Sequence, residues 1–178
     1  VRSSDDYYMR ALIYKAMKQF NKALEDSKRA IMIDSKYTSV YRFRGQIYQI
    51  QGELKKSIRC FNKVISINPK SVVSYFERGT IYYSLGKKDK ALKDFSKARE
   101  NILKKKKEYL KYLNGSTLLG EIHGHRAVIY AEKKKYKLAF ADFKEAIKYT
   151  PEKASLIHNR GKLYLETGDV KKALKDFN

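Results

Sequence analysis

The chain has 178 residues, and its 40 lysines and arginines against 19 aspartates and glutamates give a formal net charge of +21. A membrane-spanning helix needs ~20 consecutive apolar residues. The sequence has 33% charged residues and no apolar run of that length, so it predicts no membrane-spanning helix. The single cysteine, Cys60, excludes a disulfide framework, and the 13% aromatic content with two prolines excludes a disordered tail.

From the N-terminus onward, the sequence repeats itself with a period of 34 residues. Segments 4–37, 38–71 and 72–105 align without gaps, and after an interruption at 106–119 two more segments align at the same spacing, 120–153 and the truncated 154–178. One aromatic column holds Tyr14, Tyr48, Tyr82, Tyr130 and Tyr164. A small-residue column three positions earlier holds Ala11, Gly45, Gly79, Ala127 and Gly161. We therefore expect residues 1–178 to form a single array of five repeats.

The spacing within each repeat predicts two helices. Gly79 and Tyr82 are three residues apart and share one helix face, whereas Ala91, Phe95 and Ala98 follow the i, i+4, i+7 spacing of a second amphipathic helix. Gly86 stands between the two segments, as Gly52 and Gly168 do in other repeats. Each repeat is therefore predicted to be a helix, a tight turn and an antiparallel helix, and the hairpins must stack to bury their apolar faces.

This pattern resembles the tetratricopeptide repeat, a 34-residue helix–turn–helix unit. The resemblance covers nearly the whole chain and implies an all-α fold, a right-handed superhelical α-solenoid of antiparallel helix pairs. It also implies that the first helix of each repeat lines a concave groove that holds a peptide. The chain departs from the family pattern at Ser27, Ser35, Ser57 and Leu103.

Arginine and aspartate recur together in four repeats, each directly before a core column. A planar guanidinium suits a bidentate pair with a carboxylate, which predicts an internal Arg–Asp clasp in each hairpin. The predicted pairs are Arg10–Asp26, Arg78–Asp94, Arg126–Asp142 and Arg160–Asp176. In the second repeat, Arg44 is matched with Cys60 instead. The alternative is a stripe of ligand-binding arginines, which we place second because a buried pair must be satisfied locally.

The interruption at 106–119 predicts one extended hairpin, because it lengthens the second helix of repeat 3 and the first helix of repeat 4. Asn114 and Gly115 predict a turn, with Ser116 as the N-cap of the next helix. Two interpretations remain open: a lengthening that packs on itself, or a basic arm that docks on an acidic surface. The arm residues are Lys104, Lys105, Lys106, Lys107 and Lys111.

The resemblance also supplies candidate partner contacts along the first helices: Arg42, Gln46, Gln49, Phe76, Thr80, Tyr83, His158 and Lys162. Among all groove positions, three side chains are positive and four negative: Lys15, Arg42 and Lys162 against Asp5, Glu121, Glu132 and Glu166. This near-neutral balance predicts a mixed or apolar peptide, and places the lysine excess on second helices, edges and the arm. Phe76 and Tyr83 have an alternative role in packing between neighbouring repeats.

The sequence contains no glycine-rich phosphate loop, and His123, His125 and His158 complete no cluster of metal ligands. We therefore expect a non-enzymatic adaptor segment of a larger, cytoplasmic protein, without cofactor or metal, that binds a partner protein or peptide. If the basic arm takes part in binding, we expect the partner to be acidic. The alternative is association of the Lys-rich outer face and the 104–111 arm with a polyanion such as RNA, or with an acidic surface. Neither of these two functional interpretations predicts an oligomeric state.

Overall fold

The structure is a computed structural model that describes residues 2–104 and 115–178, and within these ranges it contains ten α-helices and no strand. The helices, in chain order, are α1 Ser4–Ala16, α2 Phe20–Ile33, α3 Thr38–Ile50, α4 Leu54–Ile67, α5 Val72–Ser84, α6 Lys88–Lys104, α7 Gly115–Glu132, α8 Tyr136–Tyr149, α9 Ala154–Glu166 and α10 Val170–Phe177. They divide into two compact units, Val1–Ile81 and Tyr82–Asn178. The predicted all-α architecture is confirmed.

In the first unit, α1 pairs with α2 and α3 pairs with α4, in each case across a short turn. Ala11, Ala23, Phe43 and Ile47 form a buried cluster, and Phe20 and Leu24 of α2 pack against it. The cluster therefore joins the first hairpin to the first helix of the next one, which is how stacked hairpins bury apolar surface that a single hairpin leaves exposed.

In the second unit, α7 pairs with α8 and α9 with α10, and α6 packs on α7. The buried cluster here contains Ala127, Phe143 and Leu163, with Tyr136 and Phe140 packed against it. Pro151 stands two residues after the end of α8, and Pro69 stands two residues after the end of α4 in the first unit. A proline at these points stops the helix and starts the turn into the next repeat.

The helices on either side of the interruption are long, with 17 residues in α6 and 18 in α7 against 13 in α1, α3, α5 and α9. The interruption itself lies largely outside the described residues. The prediction that Ser116 caps the following helix was wrong, because α7 already begins at Gly115. Gly115 is buried, and a buried backbone is better satisfied inside a helix than in an open turn.

The turn inside each hairpin places one residue in the left-handed backbone region. Gly52, Gly86 and Gly168 occupy it with φ of 74°, 70° and 83°. Lys18 and Lys134 occupy the same position in repeats 1 and 4, with φ of 57° and 56°. A side chain in this region costs ~1–2 kcal/mol, which glycine avoids.

Replacing Lys18 by glycine should therefore raise the free energy of unfolding by about 1 kcal/mol, measured by urea denaturation with circular dichroism. The matched control is Lys28→Gly, at an exposed helical position of α2, where glycine should instead lower stability by about 1 kcal/mol. Equal losses in both variants would contradict this account of the turn.

Among the described residues, no helix combines the length and the apolar character that crossing a bilayer requires.

Candidate partner-binding faces

A line of polar side chains connects three successive first helices in the first unit. Lys15 of α1 donates from Nζ to Gln46 Oε1 of α3 at 3.3 Å, and Gln46 donates from Nε2 to Glu77 Oε1 of α5 at 2.6 Å. Each step joins residues 31 positions apart, because it links neighbouring repeats across one face. We call Lys15, Gln46 and Glu77 the polar line.

Glu77 is the half-buried end of the polar line. Burial raises the pKa of its carboxyl group above the ordinary value, while the hydrogen bond from Gln46 and the positive charges of Arg42 and Lys15 act in the opposite direction. Its Oε2 atom is buried and has no hydrogen-bond partner among the described residues. A buried carboxylate oxygen without a donor is costly, which distinguishes Glu77 from the other polar groups of the line.

The other predicted contacts of the first unit lie around this line. Arg42 precedes Gln46 by one helical turn of α3 and is half-buried, and Gln49 is exposed at the end of the same helix. Phe76 and Thr80 are half-buried on α5, and the Thr80 hydroxyl donates to the Glu77 carbonyl oxygen at 2.7 Å. The hydroxyl of Thr80 is thus engaged within its own helix, whereas Gln49 remains accessible.

In the second unit, Tyr83 donates from its hydroxyl to Glu132 Oε1 at 2.8 Å, and Lys88 Nζ lies 3.2 Å from Glu132 Oε2. Burial, followed by this hydrogen bond and the negative charge of Glu132, raises the pKa of Tyr83 to about 12. The hydroxyl of Tyr83 therefore bonds within the chain, and only the ring is left for other contacts.

A cavity of ~250 Å³ lies among α7, α8 and α9 of the second unit. Its lining combines two carboxylates, two lysines, one amide and apolar side chains: Val128, Ala131, Glu132, Lys134, Phe143, Asn159, Lys162 and Glu166. The predicted contact Lys162 lies here, whereas His158 is exposed with its ring 5.4 Å from that of Phe177. The balanced charge of the lining suits a peptide of mixed character.

The arginine and aspartate columns meet within the hairpins of repeats 1 and 5. Arg10 donates to the two carboxylate oxygens of Asp26 at 2.5 and 2.7 Å, and Arg160 donates to those of Asp176 at 2.8 and 2.6 Å. The guanidinium of Arg10 lowers the pKa of the Asp26 carboxyl group. Both arginines are turned toward their own repeat, which favours the structural interpretation over a ligand-binding stripe.

The fourth repeat has a larger network around Asp142. Arg126 donates from Nε to Asp142 Oδ2 at 3.1 Å, and the Nδ1 of buried His123 lies 2.5 Å from Asp142 Oδ1. Arg99 donates from Nε to His123 Nε2 at 3.3 Å, so the ring proton sits on Nδ1 and is donated to Asp142. His123 was not among the predicted site residues, and its role here is to help satisfy a buried carboxylate.

In repeats 2 and 3, the arginine contacts the second helix of the preceding repeat. Arg44 donates to the Leu24 carbonyl oxygen at 2.9 Å and to the Ser27 hydroxyl at 3.0 Å. Arg78 donates to Asn62 Oδ1 at 2.6 Å, and Asp94 is buried. The Arg78–Asp94 clasp stays a prediction.

Family profiles described as TPR repeat and as tetratricopeptide repeat match residues 45–86 and residues 7–37 and 120–153, respectively. Together these matches cover more than half of the sequence. The chain belongs to the tetratricopeptide repeat family. Comparison with curated protein sequences gives no significant match.

Several solved structures share the tetratricopeptide fold of this chain. YrrB, a TPR protein with an unusual peptide-binding site, is 20% identical, with a TM-score of 0.76 over 98% of this chain and 82% of YrrB. MamA 41-end from Desulfovibrio magneticus RS-1 is 13% identical, with a TM-score of 0.81 over 98% of this chain and 90% of that chain. PilW, a type IV pilus biogenesis factor, is 19% identical, with a TM-score of 0.73 over 98% of this chain and 74% of PilW. At these sequence identities, the structural similarity establishes the fold alone.

Lysines are unevenly distributed between the two helices of these tetratricopeptide repeats. Within the described helices, the first helices contain only Lys15 and Lys162, whereas every second helix carries at least two exposed lysines. In the predicted basic arm, Lys104 pairs with Glu100 at 2.6 Å. The other arm residues, Lys105, Lys106, Lys107 and Lys111, lie outside the described residues.

No group of three or more His, Cys, Asp or Glu side chains in residues 2–104 and 115–178 is placed to hold a metal ion. Burial raises the pKa of the Cys60 thiol, which disfavours the reactive thiolate.

Replacing Asp142 by alanine should lower the free energy of unfolding by about 3 kcal/mol, because it leaves Arg126 and buried His123 without their acceptor. Urea unfolding followed by circular dichroism measures the loss. The control is Asp89→Ala, which removes an exposed partner of Lys133 and should change stability little. A loss no larger than that of the control would show that the network contributes nothing to stability.

Glu77 should make stability depend on pH. Because its folded-state pKa is raised above the ordinary 4.5, the folded chain binds more protons than the unfolded chain between these two values, so stability falls as pH rises through this window. Urea unfolding of wild type and Glu77→Gln from about pH 4 to about pH 8 tests this, and wild type should lose stability relative to the variant as pH rises. A pH-independent difference would contradict the prediction.

Proposed function

We propose that this chain is a non-enzymatic scaffold that binds a partner protein, and that the polar line of the first unit is its principal contact with an extended segment of that partner. The observation that carries the proposal is the Glu77 carboxylate, whose buried Oε2 has no donor among the described residues. The peptide-binding site of YrrB, which has the same fold, supports a binding role of this kind.

The polar line offers the groups that recognise a peptide backbone. Gln46 and Gln49 each carry an amide that can both donate and accept hydrogen bonds, and Glu77 Oε2 accepts from a backbone or side-chain N–H. Lys15 and Arg42 supply positive charge beside the single carboxylate, which favours carbonyl oxygens or an acidic side chain next to the donor. The partner segment therefore has mixed character, with at least one N–H group aimed at Glu77.

The cavity of the second unit supports the same function by itself. Its ~250 Å³ can accept one side chain, and its lining contains the carboxylates of Glu132 and Glu166 as well as the amines of Lys134 and Lys162. A neutral or zwitterionic segment therefore fits better than a uniformly charged one.

The test selects peptides from a random dodecapeptide phage library on the immobilised chain and then measures the affinity of the selected synthetic peptides. Gln46→Ala should weaken binding about tenfold or more, because it removes the amide between Lys15 and Glu77. Gln51→Ala, at an exposed glutamine just after α3, is the matched control and should leave affinity unchanged. Affinity should also rise with pH as Glu77 ionises.

Salt separates this function from the alternative. Binding at the polar line should persist in roughly 1 M salt, where the Debye length is about 3 Å. Selection of acidic peptides only, whose binding is lost in salt and is indifferent to Gln46→Ala, would overturn the proposal. That result would point instead to polyanion association through the lysines of the second helices.

A further inference from the structure

A second cavity lies within the first unit, where the turn of repeat 1 meets repeat 2. Its volume is ~430 Å³, and its walls come from this turn, from the start of α2 and from the residue that follows α3. The lining residues are Lys18, Gln19, Phe20, Asn21, Lys22 and Gln51. Two amines and three amides thus surround one aromatic ring, and none of these six residues carries a carboxylate. We call it the turn cavity.

Both lysines of the turn cavity keep a positive charge that is not neutralised. Within residues 2–104 and 115–178, neither Lys18 nor Lys22 forms an ion pair with a carboxylate. The Nζ atom of Lys22 lies 5.6 Å from the centroid of the Tyr14 ring, a contact that holds the ammonium group without neutralising it. The turn cavity therefore presents two positive charges that the described part of the chain does not offset.

The backbone at Lys18 distinguishes this residue from an ordinary surface lysine. Lys18 occupies the left-handed turn position with a φ of 57°, where three other repeats have glycine. The other non-glycine residue in this region, among those that the structure describes, is Lys134 with a φ of 56°. Lys134 also lines a cavity, the one among α7, α8 and α9. Residues held in this unfavourable conformation are concentrated at binding sites, so the strain at Lys18 indicates a ligand.

The turn cavity also contains a polar atom that the chain does not satisfy. Gln19 Oε1 is buried and has no hydrogen-bond donor among the described residues. Such atoms are rare in folded proteins and mark places where a bound group completes the hydrogen bonding. The occupant of the turn cavity should therefore combine negative charge for the two lysines with an N–H group for Gln19.

We propose that the turn cavity binds a phosphorylated side chain of a partner protein, with its phosphate on Lys18 and Lys22. A phosphoserine carries a charge of about −1.5 to −2 at pH 7, which balances two lysines, whereas a single carboxylate leaves one of them unmatched. The partner's backbone supplies the N–H group for Gln19, which a nucleic-acid phosphate does not carry. This site shares no residue with the polar line and does not depend on it.

The experiment starts from a degenerate nonapeptide library with a central phosphoserine, which is passed over the immobilised chain. The retained sequences are then synthesised with phosphoserine, serine or glutamate at the centre, and the affinity of each peptide is measured. The phosphoserine peptides should bind at least about tenfold more tightly than the other two forms, because only phosphoserine matches both lysines.

Single lysine variants locate the site. Lys18→Gln and Lys22→Gln should each weaken binding of the phosphoserine peptides about tenfold, since each removes one charged donor. The matched control is Lys28→Gln, at an exposed lysine of α2 that does not line the turn cavity. It lowers the net charge by the same amount and should leave the affinity unchanged.

Lys18→Gly separates binding from folding. This variant relieves the left-handed conformation, so it should be more stable than wild type in urea and yet bind the phosphoserine peptides about tenfold more weakly. A purely structural role of Lys18 would not produce these opposite effects.

Several results would overturn the proposal. They are a library from which nothing is retained, serine or glutamate peptides that bind as tightly, and equal losses in Lys18→Gln and Lys28→Gln. Single-stranded RNA whose binding depends on Lys18 but not on Lys28 would assign the turn cavity to nucleic acid instead. Gln46→Ala should leave phosphopeptide binding unchanged, so the failure of this proposal and the failure of the polar line are distinguishable.

Discussion

The close approach of the first and second helix in each hairpin is the constraint on which the rest of the structure depends. A Cβ atom added at Gly45 would lie 2.8 Å from the ring of Phe61, and one at Gly161 would lie 2.8 Å from the ring of Phe177. Arginine directly precedes the small residue and aspartate precedes the aromatic one, so the contact between Gly161 and Phe177 also brings Arg160 to Asp176. The contact between the small residue and the aromatic ring thereby holds the arginine and the aspartate close together. Without it, forming the ion pair would cost more side-chain entropy.

The contact between the small and the aromatic columns also determines which way the polar and apolar side chains of each hairpin face. With the small and aromatic columns turned inward, the Ile/Leu column of the first helix (Ile47 in α3) faces the preceding repeat, and the positions of Lys15, Gln46 and Glu77 share another face. The column of Glu77 holds buried Phe43 one repeat earlier, where the side chain belongs to the apolar cluster of the first unit. One column therefore serves apolar packing in repeat 2 and polar contact in repeat 3.

The sequence predicted the helices, turns and packing columns because each rests on spacing within a single repeat. It did not predict Glu77 as a site residue, since its column holds Met9, Phe43, His125 and Asn159 in the other repeats and follows no pattern. The groups that act on Glu77, namely Lys15, Arg42 and Gln46, come from α1 and α3 and not from its own repeat. His123 was missed for the same reason, because Asp142 and Arg99 reach it from different helices. Periodicity identifies what every repeat shares, whereas a site is built from what one repeat does differently.

The lysines and the polar line act through different physical effects. Exposed lysines on the second helices create a long-range field that is screened within about 10 Å at moderate salt, and such a field accelerates encounter with acidic partners more than it selects among them. In the proposed function, Glu77 would act at hydrogen-bond distance through its buried Oε2 atom, where an unmatched polar group is penalised rather than screened. Because the described first helices carry only Lys15 and Lys162, most lysines of these helix pairs lie on the second helices, away from the polar line. A basic scaffold can thus attract partners broadly and still bind selectively, provided that selection takes place on the face where the charge is balanced.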